Sequence, residues 1–381
     1  MSHLIGLYFC CSISMNRKIS FTLLFIAALT QEMNAQDTIK DTAAWKRLPD
    51  ITVVGRNSKS DYQQLPEIVG TSIYAGKKNA LIVLENVQGN TSNNVMRQVL
   101  AKVPGIHIWE SDPSGIQIGI AARGLSPNRS WEFNVRQNGY DIAADPFGYP
   151  EAYYNPQMQA IQRIEIIRGQ GALQYGPQFG GMVNYILKNG SEINKPFDFE
   201  TQQTIGSNGL LNSFNAIGGK KGKFNYYSFY DQKNGAGWRQ NSEFYTKAAF
   251  GSITYTISKN LSLTLEWMHS HIRSQQPGGL TDAQIYNDAK QSVRSRNWFD
   301  IKWTTPAFIL NYSLNETTRW NTKLFATVGD RNSVGFLQLI TIKDSVNTLT
   351  GQFNNRALQI DNYRNYGFES RVITDYDLGN L

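Results

Sequence analysis

The chain has 381 residues, 41% hydrophobic and 12% aromatic, with only two cysteines, a composition that excludes disorder, a collagen-like rod and a disulfide-stapled scaffold. Lys and Arg number 37 against 30 Asp and Glu, a formal charge of +7, but the cations are scattered, and the densest group, Lys220, Lys221 and Lys223, sits among glycines. No nucleic-acid partner is expected, because that would need a basic face or stripe.

At the amino terminus, Arg17 and Lys18 precede an apolar run of 11 residues at 19–29, and Met33-Asn34-Ala35 offers a cleavage site after Ala35. This pattern predicts a secretory signal starting near Met15, with residues 1–14 an upstream extension. The run is well short of the ~20 residues a spanning helix needs. Cys10 and Cys11 both precede the cut, so the mature chain is expected to hold no disulfide and no thiolate. An exported chain with no later apolar helix is secreted, periplasmic or a β-barrel.

Residues 36–64 are mostly polar and read as a flexible tail. Within it, Asp50-Ile51-Thr52-Val53-Val54-Gly55 has β-branched residues at its centre and the propensity of a short strand. An isolated strand is not stable alone, so it pairs either with the next domain of this chain or with the sheet edge of a partner.

Residues 65–190 read as a compact mixed domain. A short amphipathic helix is predicted at 94–103, with Val95, Val99 and Leu100 on one side and Pro104-Gly105 ending it. Strands are predicted at 116–120, 133–135, 161–167 and 182–187. Gly169, Gly171, Gly176, Gly180 and Gly181 crowd together, but no Lys-Ser/Thr pair closes a phosphate loop.

After Pro196 the texture changes. Leu261, Leu263, Leu265 and Trp267 alternate with Ser262, Thr264, Glu266 and Met268, a period of two. Similar segments near 199–205, 210–218, 223–231, 246–257, 299–312, 318–329 and 365–376 bring the total to about eight strands. Tight turns at 218–222, 258–260 and 315–317 interleave with long links at 231–245, 271–298 and 330–364, and only the first hairpin, through Ser207-Asn208-Gly209, breaks the scheme. Short turns at one end and long loops at the other describe a transmembrane β-barrel. Tyr226, Tyr227, Tyr230, Trp238, Trp298 and Trp303 fit its interfacial girdles. A soluble β-sandwich also alternates and is the competing reading.

Arg163-Ile164-Glu165-Ile166-Ile167-Arg168-Gly169, followed by Tyr175-Gly176, Gly180-Gly181 and Val183-Asn184-Tyr185-Ile186, resembles the end of the plug domain of TonB-dependent outer-membrane receptors. Residues 100–106 with Pro104-Gly105, and Ala122-Arg123-Gly124, resemble two further plug motifs in the same order. The run Asp50, Ile51, Thr52, Val53, Val54 and Gly55 resembles the TonB box, which displaces the ordinary-strand reading. Gln275-Gln276-Pro277-Gly278-Gly279-Leu280 and Arg294-Ser295-Arg296-Asn297-Trp298-Phe299 resemble the ferric dicitrate and siderophore branch.

The resemblance implies an α+β plug domain (65–190) followed by an antiparallel transmembrane β-barrel (196–381). The signalling domain of regulatory members and the extra sandwich domain of sugar importers are not expected. A plug this large fits a lumen of about 22 strands, whereas eight strands close around their own side chains. The sequence is therefore expected to be an amino-terminal piece lacking about fourteen strands, with an open, curved sheet.

The implied function is import of a ferric chelate across the outer membrane of a Gram-negative bacterium. TonB and its inner-membrane energising complex would be the partners, outer-membrane lipid the surroundings, and the receptor a monomer. Arg123 and Arg168, each before a glycine, match plug arginines that pair with glutamates on the barrel wall, and those glutamates are expected in strands beyond Leu381. For an anionic chelate, Arg129, Arg136, Gln276, Arg294 and Arg296 are candidate donors, with Trp131 and Tyr140 as apolar walls. His269 and His271 share a strand face, but no Cys or carboxylate cluster accompanies them and no metal site is expected. His3 and His107 lie elsewhere, no catalytic constellation forms, and neither enzyme activity nor a cofactor is expected. A receptor for a non-iron ligand such as cobalamin or an oligosaccharide, and a structural or adhesive outer-membrane protein, are the alternatives.

Overall fold

A computed structural model describes residues 62–75, 79–87, 89–91, 95–110, 114–115, 118–144, 151–176 and 178–376. The predicted signal segment, the tail through residue 61 with the run Asp50 to Gly55, and residues 377–381 lie outside the described residues.

The mixed domain opens with short strands β1 (Gln63–Gln64), β2 (Ile68–Val69), β3 (Ser72–Ile73) and β4 (Ala80–Val83). Helix α1 (Met96–Leu100) follows, then β5 (Ile106–Glu110), β6 (Ile118–Ala122), β7 (Phe133–Gln137), β8 (Tyr140–Asp141), β9 (Ile161–Ile167) and β10 (Gly181–Leu187). A six-stranded sheet has the order β1-β4-β9-β10-β7-β8, in which β10 runs parallel to β7. Ile164, Ile166 and Ile167 of β9 and Met182, Val183 and Tyr185 of β10 are all buried. Both faces of these central strands are covered, which is why they read as near-continuous apolar runs. In α1 the buried residues are Met96, Val99 and Leu100, one face of a helix. The helix stops short of the predicted residue 103 because residues 101–105 turn ahead of Pro104, with Gly105 at φ +77°.

The second part is a single sheet of eight antiparallel strands in sequence order: β11 (Asp198–Ile205), β12 (Leu211–Lys221), β13 (Phe224–Gly235), β14 (Phe244–Ser258), β15 (Leu261–Gln275), β16 (Trp298–Ser313), β17 (Thr318–Gly335) and β18 (Ala357–Thr374). Its alternation is inverted relative to a soluble protein. Along β15, Thr264, Glu266, Ser270 and Ser274 are buried while Leu265 and Trp267 are exposed. Ile253, Leu324, Phe368 and Val372 extend the exposed apolar face across neighbouring strands. Polar inside and apolar outside is the pattern of a barrel wall facing lipid. A sandwich would cover this sheet with a second one; here its inward face meets the mixed domain instead.

The strands outrun their predicted ends. The long links contract to 236–243, 276–297 and 336–356, the second containing α2 (Asp282–Asn287) with a Thr281–Gln284 capping box. Towards the loops both strand faces become polar, so alternation fades while the hydrogen-bond ladder continues. Two predicted girdle residues are also corrected: Tyr227 and Trp303 fall on the inward parity and are buried, whereas Tyr230 and Trp238 are exposed.

Candidate functional site

The mixed domain meets the wall through the turn joining β7 to β8. Asn138 at φ +46° and Gly139 at φ +81° make the two-residue turn that an Asn-Gly pair favours in a hairpin. That turn carries polar side chains to the wall: Asn138 Nδ2 donates to both oxygens of Glu266 at 2.8 and 2.9 Å, and the Tyr140 hydroxyl donates to Glu266 Oε2 at 3.0 Å. Burial first, then the charge of Glu266, push the Tyr140 phenol well above its ordinary pKa. It therefore remains a donor.

Two residues before Asn138, Arg136 is almost fully buried and its Nη1 donates to Glu369 Oε1 of β18 at 2.7 Å. The other Glu369 oxygen accepts from Arg371 Nη2 at 2.9 Å. The Tyr175 ring lies beside both guanidinium groups, 4.6 Å from Arg136 and 4.2 Å from Arg371. Burial acts to lower the Arg136 pKa, but Glu369 and Asp141 outweigh it and hold the guanidinium charged. The Tyr175 hydroxyl reaches Ser72 Oγ at 2.6 Å and the Tyr74 hydroxyl at 2.9 Å. Nearer the loops, the buried Trp303 indole donates to the Ile142 carbonyl at 3.2 Å and meets Tyr153 edge-on at 5.6 Å.

At the loop end of this seam two adjoining hollows, of about 140 and 510 Å³, share Arg129 and Arg331 in their linings. Arg331 Nη1 pairs with Asp361 at 2.9 Å, and its guanidinium lies 4.8 Å from the Phe299 ring and 5.5 Å from the Tyr153 ring. Arg129 is half exposed, with Nε 4.0 Å from Glu151. Trp109, Asn362 and Arg364 complete the rim. Two guanidinium groups over aromatic and amide surfaces suit an anion rich in oxygen.

The predicted ligand residues divide. Arg129 lines the hollows, and Trp131 is half exposed. Arg136 and Tyr140 are buried in the seam, each bonded to a wall glutamate. Arg294 and Arg296 brace loops: Arg294 donates to the carbonyls of Ile342 and Leu339 at 2.7 and 3.0 Å, and Arg296 pairs with Asp344 at 2.5 Å. The backbone N–H of Gln276 donates to the Asn297 carbonyl at 2.9 Å.

Arg168 Nη1 donates to the Pro104 carbonyl at 2.7 Å, and burial followed by the Arg123 guanidinium lowers its pKa. These two arginines thus lie near one another within the domain. Sequence reasoning gave no site role to Glu266, Glu369, Arg371 or Arg331, and named Tyr175 only within a plug motif. For the wall residues strand parity is the available signal, since a charge in a membrane strand is expected on the lumen side.

Residues 82–183 match the TonB-dependent Receptor Plug Domain family. In fold the chain is similar to the ferric citrate transporter FecA in its unliganded form, with a TM-score of 0.66 and 20% identity over 83% of this chain and 48% of that one. It is likewise similar to the ferric-catecholate import receptor Fiu of E. coli K12 (0.58; 13% identity; 81% and 47% covered) and to the copper transporter OprC (0.58; 11%; 82% and 46%). The chain thus spans about half the length of these solved structures. Residues 82–183 thus match the plug domain of TonB-dependent receptors, and the fold around them is similar to that of the ferric citrate and ferric-catecholate receptors.

Proposed function

We propose that the protein imports a ferric chelate, of the citrate or siderophore kind, across the outer membrane of a Gram-negative bacterium. The observation that carries this reading is the pair Arg129 and Arg331 at the loop end of the plug–wall seam, shared by two adjoining hollows of which the larger is about 510 Å³. A carboxylate-rich complex would exchange water for charge-assisted hydrogen bonds there. Cobalamin or an oligosaccharide would rely on aromatic faces and amides, whereas Arg129, Arg331 and Arg364 outnumber Glu151 and Asp361 in the two linings and favour the anion.

Uptake needs work, since the outer membrane holds no ATP and no ion gradient. In this proposal TonB supplies it by pairing a strand with Asp50 to Gly55, an interaction made mainly by backbone hydrogen bonds. Arg123 and Arg168 serve the plug–wall contact, and a single receptor chain completes the cycle.

Two measurements on cells carrying the intact receptor test this together. Radiolabelled iron presented as ferric citrate should accumulate, and Val53→Pro should abolish accumulation while surface binding of the complex persists, because proline removes a donor and restricts the strand. Accumulation that persists in Val53→Pro would overturn the TonB assignment; binding no tighter than that of cells lacking the receptor would overturn the ligand class.

A further inference from the structure

The outward face of the wall can be read row by row from the strand register. Ile253, Leu265, Phe308, Leu324 and Phe368 stand abreast on β14 to β18, and Tyr255, Leu263 and Leu310 form the next row towards the tight turns. On the other side come Gly251, Trp267 and Pro306, then Ala249, His269 and Thr304. Alternate residues are ~7 Å apart along a strand, so with the usual tilt each row adds ~5 Å of height. With Leu261 and Tyr312 below them, four apolar rows and the mixed row of Ala249, His269 and Thr304 span ~20–25 Å, the height of a barrel's lipid-facing band.

The row immediately above, on the side of the long loops, is Lys247, His271 and Lys302 on three successive strands. Directly abreast positions are ~5 Å apart at Cα, so two flexible lysine stems flank the His271 ring over one small area. Neither Lys247 nor Lys302 has a carboxylate within salt-bridge distance among the described residues. Asp300 is already engaged: it accepts from Arg273 at 2.9 Å and from His271 at 3.2 Å. Asp330, beside Lys302 in the register, is paired with Arg364 at 3.0 Å. Four fixed cations (Lys247, Arg273, Lys302 and Arg364) thus face outward against two carboxylates. Aromatic residues flank the row, with Trp267 stacked on His269 at 5.8 Å and the Arg273 guanidinium 5.8 Å from the Trp298 ring. Such rings mark the membrane interface.

We infer that Lys247, His271 and Lys302, with Arg273 beside them, form a binding site for the phosphate headgroup of a lipid in the outer leaflet. The occupant is a lipid because the row caps the apolar band: acyl chains lie against Leu265, Trp267 and Phe308 while the phosphate sits at the cations. Charge complementarity selects a phosphorylated headgroup over a neutral one. The site rests on the membrane-barrel reading of this wall and is separate from the lumen, because every residue of it lies on the outward parity.

The test uses the intact receptor reconstituted in phosphatidylcholine vesicles containing a minor fraction of either bis-phosphorylated lipid A or its dephosphorylated form, with retained lipid counted by native mass spectrometry after extraction. Wild type should retain the phosphorylated lipid. Lys247→Gln/Lys302→Gln should retain about tenfold less, and Lys247→Arg/Lys302→Arg should restore it. Equal retention of the dephosphorylated lipid, or undiminished retention by the glutamine variant, overturns the site. Quenching of tryptophan fluorescence by brominated phosphatidylcholine reads the barrel orientation separately. Quenching without selective retention refutes the site alone, and absence of quenching refutes the membrane reading beneath it.

Discussion

Arg136 and Glu369 lie 233 residues apart in the chain, yet meet at 2.7 Å where the plug touches the wall. Arg136 is nearly inaccessible to water and Glu369 is mostly so. A pair of this kind need not stabilise the fold greatly, but breaking it strands a buried charge, at a cost of about 3–5 kcal/mol. Glu369→Ala should therefore loosen the plug severely, because Arg371 then faces Arg136 with no carboxylate between them. Glu369→Gln retains an acceptor and should lose less. Amide exchange in β7 and β8 is the measurement, and protection unchanged in Glu369→Ala would show that the plug is seated by other contacts.

Gly329 stands opposite Trp303 in the register, and a Cβ on it would lie 2.1 Å from the indole ring. Trp303 is fully buried and has little room to shift. Gly329→Ala should destabilise the protein by about 1–3 kcal/mol through overpacking and pull the indole N–H away from the Ile142 carbonyl. Gly251, on the outward face of β14, has nothing within 4 Å of such a Cβ, so Gly251→Ala is the matched control and should be nearly silent. Thermal midpoints and tryptophan emission of the two variants decide the matter.

Much of this architecture is readable in the sequence. The alternation of Leu261, Leu263, Leu265 and Trp267 reports a lipid face, and the run from Arg163 to Gly169 marks a central plug strand. The Asn138-Gly139 pair is also a legible hairpin signal. What it carries is not legible, because nothing near Asn138 or Arg136 announces Glu266 or Glu369, more than a hundred residues away. Trp303 and Tyr227 show the same limit from the other side. An aromatic ring suits both a membrane interface and a packed lumen, and only register separates the two. Arg136 reads as a ligand donor and Tyr140 as an apolar wall of a ligand site for the same reason: residue type gives the chemistry and leaves the direction open.

Arg331 contributes a guanidinium to both hollows while Asp361 and two aromatic rings hold it in place. Arg331→Ala should weaken ferric citrate binding about ten- to a hundredfold, the loss of one or two charge-assisted hydrogen bonds. Arg331→Lys should recover part of it, since an ammonium keeps the charge but lacks the planar fork. Titration calorimetry on the intact receptor gives both numbers. Wild-type affinity in Arg331→Ala would move the ligand site out of these hollows.

Tyr175 joins the leading segment of the plug to the wall. Its ring is held by Arg136 and Arg371, and its hydroxyl by Ser72 and Tyr74. Other ties of the leading segment include the two-residue pairing of β1 with β4, hydrogen bonds from Gln174 to the Ile73 carbonyl at 2.6 Å, from Asn79 to the Tyr74 carbonyl and from Arg371 to Ser72 Oγ at 3.4 Å, and the buried apolar anchors Leu65 and Tyr74. This segment follows the run expected to engage TonB, so it is the first described part of the plug to feel a pull. Tyr175→Phe removes the hydroxyl and keeps the ring between the guanidinium groups. It should therefore speed amide exchange at residues 63–75 by about tenfold or more, the loss of one or two buried hydrogen bonds, while exchange in β7 and β8 stays as in wild type. Tyr175→Ala removes the ring as well and should loosen both regions. If Tyr175→Phe leaves residues 63–75 fully protected, the leading segment is held by its apolar anchors and by Gln174, Asn79 and Arg371, and force on it would reach the seam by another route.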